Sequence, residues 1–180
     1  MTDAYAQLTL TNFDDPIALR TQRRKAHRVR ETLAEIGSLR EKLNTQLQAH
    51  PTERPAIHSP ADIYNLISLF LEGLDHEEFW VIDLDIRNRV IHLAKLYQGS
   101  VNSSQIRVAE VFRIAILDNA HAMVICHNHP SGDPMPSPDD VGVTRSIMQA
   151  GKLLDIEVLD HLVVGGGRYM SLKERGLMSP

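Results

Sequence analysis

The chain has 180 residues, of which 43% are hydrophobic and 23% are charged, as in a soluble globular protein with one sizeable core. Its formal net charge of -4 argues against a protein that coats nucleic acid, because such proteins usually carry a basic excess. Cys126 is the single cysteine, which excludes an internal disulfide and favours a reducing compartment, most simply the cytoplasm. The sequence has neither an apolar run of about 18 residues nor a signal-peptide pattern, so no membrane contact is expected.

The N-terminal part of the chain is predicted to be a helical extension that ends in a linker. Residues 16–50 are polar and helix-prone, whereas residues 51–60 contain three prolines, which remove backbone donors and discourage helix. From about residue 60 onward, strand-like and helix-like runs alternate. We therefore predict an extension with a Pro-rich linker over residues 1–58 and a main domain over residues 59–180.

A heptad-like stripe of apolar residues runs along the extension, interrupted by Arg40, and it consists of Val29, Leu33, Ile36, Leu43 and Leu47. One interpretation is an amphipathic helix packed on the main domain or on a partner helix of its own. The other is a coiled coil that would join two copies of the chain into a homodimer. We favour the first, because about three heptads are the minimum for assigning a coiled coil.

The same extension begins with a basic run, which consists of Arg20, Arg23, Arg24, Lys25, Arg28 and Arg30. Acidic residues follow it at positions 31, 35 and 41. Such a run usually forms a solvated helix face, and a phosphate-binding patch is the less common outcome. No aromatic residues are interleaved, so a surface that stacks on bases is not expected.

The main domain is predicted to alternate helices with strands. In chain order we expect a helix over 60–74 capped by Ser59, a strand over 79–85, a turn at 87–89, a strand over 90–97, a helix over 106–117, a strand over 122–126, a helix from Ser137 to about Leu154, a strand over 156–164, a turn at 165–167 and a strand over 168–172. Because hairpins occur beside crossovers, the pattern predicts a three-layer α/β domain with a mixed β-sheet.

The segment over residues 127–140, HNHPSGDPMPSPDD, carries the residues of a metal site. His127 and His129 follow an apolar strand and lie two residues apart, so an extended chain points both imidazoles the same way. Asp140 follows a loop of Pro, Gly and Ser that can fold back toward them. Two imidazoles and one carboxylate leave a fourth tetrahedral position for water, which is typical of catalytic zinc. Cys126 points to the opposite face by alternation and is not counted as a ligand.

A catalytic zinc site also needs a base that takes a proton from water, and a donor for the oxyanion. Glu77 and Glu78, at the start of the first strand, are both candidates for the base, and Ser137 is a candidate donor. Taken alone, Ser137 and the acids after it are also what any helix start contains. His161 is expected to be a buried, hydrogen-bonded group that supports the site rather than a ligand.

These residues resemble a known motif. His127 and His129, then Ser137 and Asp140 at this spacing, look like the JAMM (MPN-plus) motif, and residues 60–180 more closely resemble the RadC-like JAB domain. The matching stretches are residues 77–79, 98–103, 110–112, 127–134, 159–161 and 168–176. Asn128 stands where members that cut isopeptide bonds usually have Ser or Thr, which argues against ubiquitin-like substrates. Residues 1–58 also lack the hairpin of the helix-hairpin-helix region that RadC proteins usually carry.

The resemblance implies a JAB/MPN-like fold and one Zn²⁺ ion, held by His127, His129 and Asp140. It also implies Glu77 as the catalytic glutamate, because the family pattern places this residue two before the phenylalanine, and Ser137 as the oxyanion donor. The expected activity is that of a zinc metallopeptidase that cuts an amide bond in a peptide or protein.

Two other functions are compared with the hydrolase. The first is a DNA-repair-associated accessory protein, which would bind DNA through the basic run and have a structural or vestigial metal site. The second is a nucleobase deaminase, whose ligand set needs a Cys-x-x-Cys pair. The single cysteine excludes the deaminase.

Overall fold

The computed structural model describes residues 16–48, 51–99 and 106–179. The chain divides into two compact units, with the boundary between residues 41 and 42. Helix α1, Pro16–Gln48, begins in the first unit, and this bears out the predicted N-terminal helical extension. All six side chains of the basic run on α1 are exposed, and Val29 of the apolar stripe is 56% exposed.

The second unit contains the remaining described elements. They are a short 3-10 turn Pro51–Glu53, α2 Pro60–Leu71, β1 Glu77–Leu84, β2 Val90–Gly99, α3 Val108–Leu117, β3 Ala122–Asn128, α4 Pro138–Leu154, β4 Glu157–Gly165 and β5 Arg168–Ser171. Each predicted helix and strand of the main domain is present, with its ends moved by a few residues. None of the helices in the described part of the chain is long and apolar enough to cross a membrane.

The five strands form one mixed sheet in the order β2-β1-β3-β4-β5, in which β3 and β4 are parallel and the other pairs antiparallel. Alternate residues of the central strand β3 contribute to two apolar clusters, one on each face of the sheet. Helix α2 covers one face, together with Leu43 from the end of α1. Helices α3 and α4 cover the other, so the predicted three-layer α/β architecture is confirmed.

The segment predicted as a linker is tied to the β1–β2 hairpin. Ile57 is buried, its N–H donates to the carbonyl of Asn88, and the N–H of Val90 donates to the carbonyl of Pro55. The predicted domain boundary between residues 58 and 59 stays a prediction.

Two strands extend further than the sequence predicts, and both extensions carry residues of interest. Strand β1 begins at Glu77 rather than at residue 79, because Glu77 pairs with Gly99 of β2. Strand β3 continues to Asn128 rather than ending at residue 126, because its last residues pair with β4. Glu77 and His127 therefore both lie within strands of the sheet.

Candidate metal centre

The two histidines are delivered by the C-terminal end of β3. His127 is 2% exposed and lies opposite Phe79 of β1 and Val163 of β4. His129 follows the strand, and its N–H donates to the carbonyl of Val164 at 2.8 Å, which keeps the chain extended. Because side chains alternate along an extended chain, both imidazoles lie on the face of the sheet that α4 covers.

The third residue, Asp140, is held by the start of α4. Its Oδ2 accepts hydrogen bonds from the N–H and from the Oγ of Ser137, both at 2.6 Å, while its own N–H donates to that Oγ at 3.2 Å. This reciprocal capping box satisfies the free donors of the helix start. It also fixes the carboxylate, so Oδ1 is directed at His127.

The three side chains converge on one point. Nε2 of His127 lies 3.0 Å from Nε2 of His129 and 3.2 Å from Oδ1 of Asp140, and Nε2 of His129 lies 3.6 Å from Oδ2. Ligands about 2.0–2.1 Å from a tetrahedral zinc ion are separated by about 3.3 Å. Among the described residues, these three form the one group of His, Cys, Asp or Glu that could hold a metal ion.

A hydrogen bond at Nδ1 of His129 fixes the tautomer of its ring. Its Nδ1 lies 2.8 Å from the backbone carbonyl oxygen of Asp133, which can only accept, so Nδ1 carries the proton. Nε2 is then left with a lone pair directed at the other two side chains. The loop that contains Asp133 and Gly132 packs closely against Gly166, which follows β4. A Cβ at position 166 would lie 2.7 Å from the Gly132 carbonyl oxygen, so this packing requires glycine.

A longer chain of hydrogen bonds fixes the tautomer of His127. Thr144 Oγ1 donates to the Asp140 carbonyl at 2.5 Å, so it accepts from Nδ1 of His161 at 2.6 Å. Nε2 of His161 must then accept from Nδ1 of His127 at 2.8 Å. The Nε2 of His127 therefore also presents a lone pair. Two lone pairs 3.0 Å apart beside a carboxylate form a donor set suited to a cation.

Protonation and cation binding are coupled at this site, because a proton and a cation compete for the same imidazole nitrogens beside Asp140. Burial alone would raise the pKa of Asp140, but its hydrogen bonds with His127 and His129 hold that pKa well below the usual range. The hydrogen bond with Asp140 raises the pKa of His129. Complete burial lowers the pKa of His161 well below its usual value, so its ring is neutral, as the hydrogen-bond chain requires.

The structure places the two candidate glutamates on opposite faces of β1. Glu77 lies two residues before Phe79 on β1, so alternation directs both side chains to one face, where the ring of Phe79 contacts that of His127. The charge of Glu77 is near enough to raise the pKa of His129. Glu78 lies on the other face, 5% exposed, and is bound by Lys95 at 2.9 Å and by Nε1 of Trp80 at 2.9 Å. Glu77 is therefore the acid on the face of the histidines.

Ser137 contacts Asp140, and its hydroxyl donates to the Oδ2 atom of that carboxylate. Rotation of Oγ would be needed before it could donate to a substrate. Cys126 is buried among the apolar side chains on the opposite face, where burial raises the pKa of its thiol.

Residues 57–177 match the family model described as the RadC-like JAB domain. The chain is 50% identical over 131 residues to a UPF0758 protein of Roseiflexus castenholzii, covering 73% of this chain and 56% of that protein. It is 50% identical over 125 residues to a UPF0758 protein of Chloroflexus aurantiacus, covering 69% and 55%. A UPF0758 protein of Desulfitobacterium hafniense is 43% identical over 145 residues, covering 81% and 64%. The chain thus matches somewhat more than half the length of these relatives.

Proposed function

This chain belongs to the RadC-like JAB domain family, and we propose that it is a zinc-dependent hydrolase of the metallopeptidase type that cleaves an amide bond in a peptide or protein. The observation that carries the proposal is the convergence of two imidazole nitrogens and one carboxylate oxygen on the face of the sheet to which Glu77 also points. A closed structural site would use four protein ligands, whereas this group offers three.

Each residue has a distinct role in this proposal. His127, His129 and Asp140 would hold the ion, and their nitrogen and oxygen atoms suit Zn²⁺. When bound, the ion supplies Lewis-acid chemistry, acidifying water and polarising the carbonyl of the scissile bond. The Glu77 carboxylate would accept a proton from the attacking water and return it to the leaving amine. Ser137 would rotate its hydroxyl away from Asp140 to donate to the developing oxyanion.

The direct test combines metal analysis with a single substitution. The full chain should purify with about one zinc per molecule, and Glu77→Gln should keep that zinc while losing about 10²–10⁴-fold in hydrolysis of a peptide library. Glu157→Gln is the matched control, because Glu157 is exposed and pairs with Ala122, at the end of β3 opposite to His127. Substoichiometric zinc in the carefully purified wild type, or equal activity of the two variants, would contradict the proposal.

DNA association is the second candidate, and the exposure of the whole basic run on α1 favours it. If α1 binds phosphates, the affinity for duplex DNA should fall steeply with salt. Neutralising Arg23, Arg24 and Lys25 should weaken binding and flatten the salt dependence. An equal substitution at three exposed arginines of the second unit, Arg87, Arg168 and Arg175, serves as control. Binding that is absent or insensitive to salt would dismiss this function.

A further inference from the structure

Strands β1 and β3 part at the metal centre. Their backbone pairing runs from Leu84–Ala122 to Phe79–His127 and stops there. Asn128 continues its backbone pairing with β4 alone, opposite Val164. The next step of the β1–β3 ladder, at the level of Glu78, is therefore not made by the backbone of β3.

The side chain of Asn128 makes this connection instead. It is 3% exposed, its Oδ1 accepts from the N–H of Glu78 at 2.7 Å, and its Nδ2 donates to the carbonyl of His76 at 2.9 Å. A carboxamide has the same donor and acceptor as a peptide group, so it can replace a missing step of a β ladder. The two hydrogen bonds fall on the residues immediately before and after Glu77.

The opposite face of β1 is anchored at the same level. The buried carboxylate of Glu78 contacts Lys95, Trp80 and Nε2 of His76, the last at 3.3 Å. The backbone on both sides of Glu77 is thus fixed, and strand alternation directs the Glu77 side chain to the face of His127 and His129.

We propose that Asn128 is a positioning residue, which holds the Glu77 carboxylate at the height of the two imidazoles through its hydrogen bonds to His76 and Glu78. This inference rests on the proposed function, in which Glu77 moves the proton. Because Asn128 stands between the two histidines, one short segment both carries ligands and sets the location of the base. Serine at this position is too short to bridge both groups, and aspartate lacks the donor that His76 requires.

The test compares Asn128→Ala and Asn128→Ser with wild type in the full chain. Asn65→Ala is the matched control, since Asn65 lies exposed on α2. Zinc stoichiometry should be unchanged in all variants, because the three ligands remain. In crystal structures of the zinc-loaded proteins, the Glu77 carboxylate should move by about 1 Å or more in Asn128→Ala, a displacement that typically costs about 10²-fold in rate. Should the alanine variant fail to fold, Asn128→Ser supplies the same comparison, because its side chain is too short to bridge His76 and Glu78 and adds no charge beside the buried Glu78.

Kinetics provide the second readout. Asn128→Ala should lower kcat by about 10–100-fold with KM changed less than about threefold, and it should have no further effect in a Glu77→Gln background. An unmoved Glu77 carboxylate, or an equal loss of kcat in both backgrounds, would overturn the inference. If Glu77 moves but wild type hydrolyses nothing, the positioning role stands and the proposed hydrolase fails, so the two failures are distinguishable.

Discussion

Replacing Asp83 by asparagine should remove part of the pH dependence of the fold's stability, so that the variant gains on wild type as the pH rises. Asp83 lies on β1 and is fully buried. Neither of its carboxylate oxygens has a hydrogen-bond partner among the described residues. Burial raises the pKa of Asp83 to about 7, with smaller opposing effects from His92, which lowers it, and Asp118, which raises it. An ionised, unpartnered carboxylate at this position destabilises the folded chain.

The size of the effect follows from the two pKa values. The unfolded chain ionises Asp83 at about 3.8 and the folded chain at about 7, so the unfolded state releases its proton first as the pH rises. Folding stability therefore falls between pH 4 and pH 7, by about 1.4 kcal/mol per pH unit and about 4 kcal/mol in total. Below pH 4 the acid is protonated in both states, and this cost disappears.

Urea unfolding of wild type and Asp83→Asn at pH 5, 6, 7 and 8 would measure this contribution. The measured quantity is the difference in free energy of unfolding between the two proteins. The free-energy cost of burying the amide does not depend on pH, so it drops out when this difference is compared between pH values. Between pH 5 and pH 8, the free energy of unfolding of the variant should rise relative to that of wild type by about 3 kcal/mol. Asp155→Asn, at an exposed position, should show almost no such trend. A difference that stays constant with pH would refute the reasoning.

Three further predictions concern the metal centre and the extension. His161→Leu removes the acceptor for Nδ1 of His127 and should weaken zinc binding about 10–100-fold in equilibrium dialysis; unchanged affinity would contradict the assigned tautomers. Gly166→Ala would place a Cβ 2.7 Å from the Gly132 carbonyl and should lower the free energy of unfolding by about 1–3 kcal/mol, whereas Gly167→Ala, which also has a positive φ but open space around it, should cost less. If the extension makes a homodimer, Val29→Glu should yield monomers in sedimentation equilibrium, and a monomeric wild type would dismiss that dimer.

The alternation of side chains along β3 was enough to predict which face of this strand carries the metal ligands. Alternation along β3 predicts that His127 and His129 point the same way and that Cys126 points away, and the structure has this arrangement. Glu77 and Glu78 could not be separated by periodicity alone, because both precede the same strand. The register between β1 and β3 places only Glu77 on the histidine face, and such pairing between distant segments has no local signature in one sequence.

The groups that fix the histidine tautomers were harder to foresee. Thr144 lies four residues after Asp140, so helical spacing alone could have placed it near the site. The Asp133 carbonyl belongs to a loop whose backbone path depends on its packing against the glycines after β4. In the sequence, Asn128 differs from the Ser or Thr that isopeptide-cleaving members usually have, and its hydrogen bonds to His76 and Glu78 appear only once β1 lies beside β3.

Residues 137–140, at the start of α4, act both as a helix cap and as the source of a metal ligand. A capping box needs a carboxylate that accepts from the cap residue, and Asp140 uses Oδ2 for this purpose. A metal ligand needs one further oxygen whose direction is fixed, and the same hydrogen bonds hold Oδ1 toward His127. The helix cap is thus the device that orients the ligand, so a substitution at Ser137 should disturb metal binding through Asp140 as well as any direct donation to substrate. Ser137→Ala should therefore weaken zinc binding even in the absence of substrate. An unchanged zinc affinity would show that the helix cap does not orient Asp140 for metal binding.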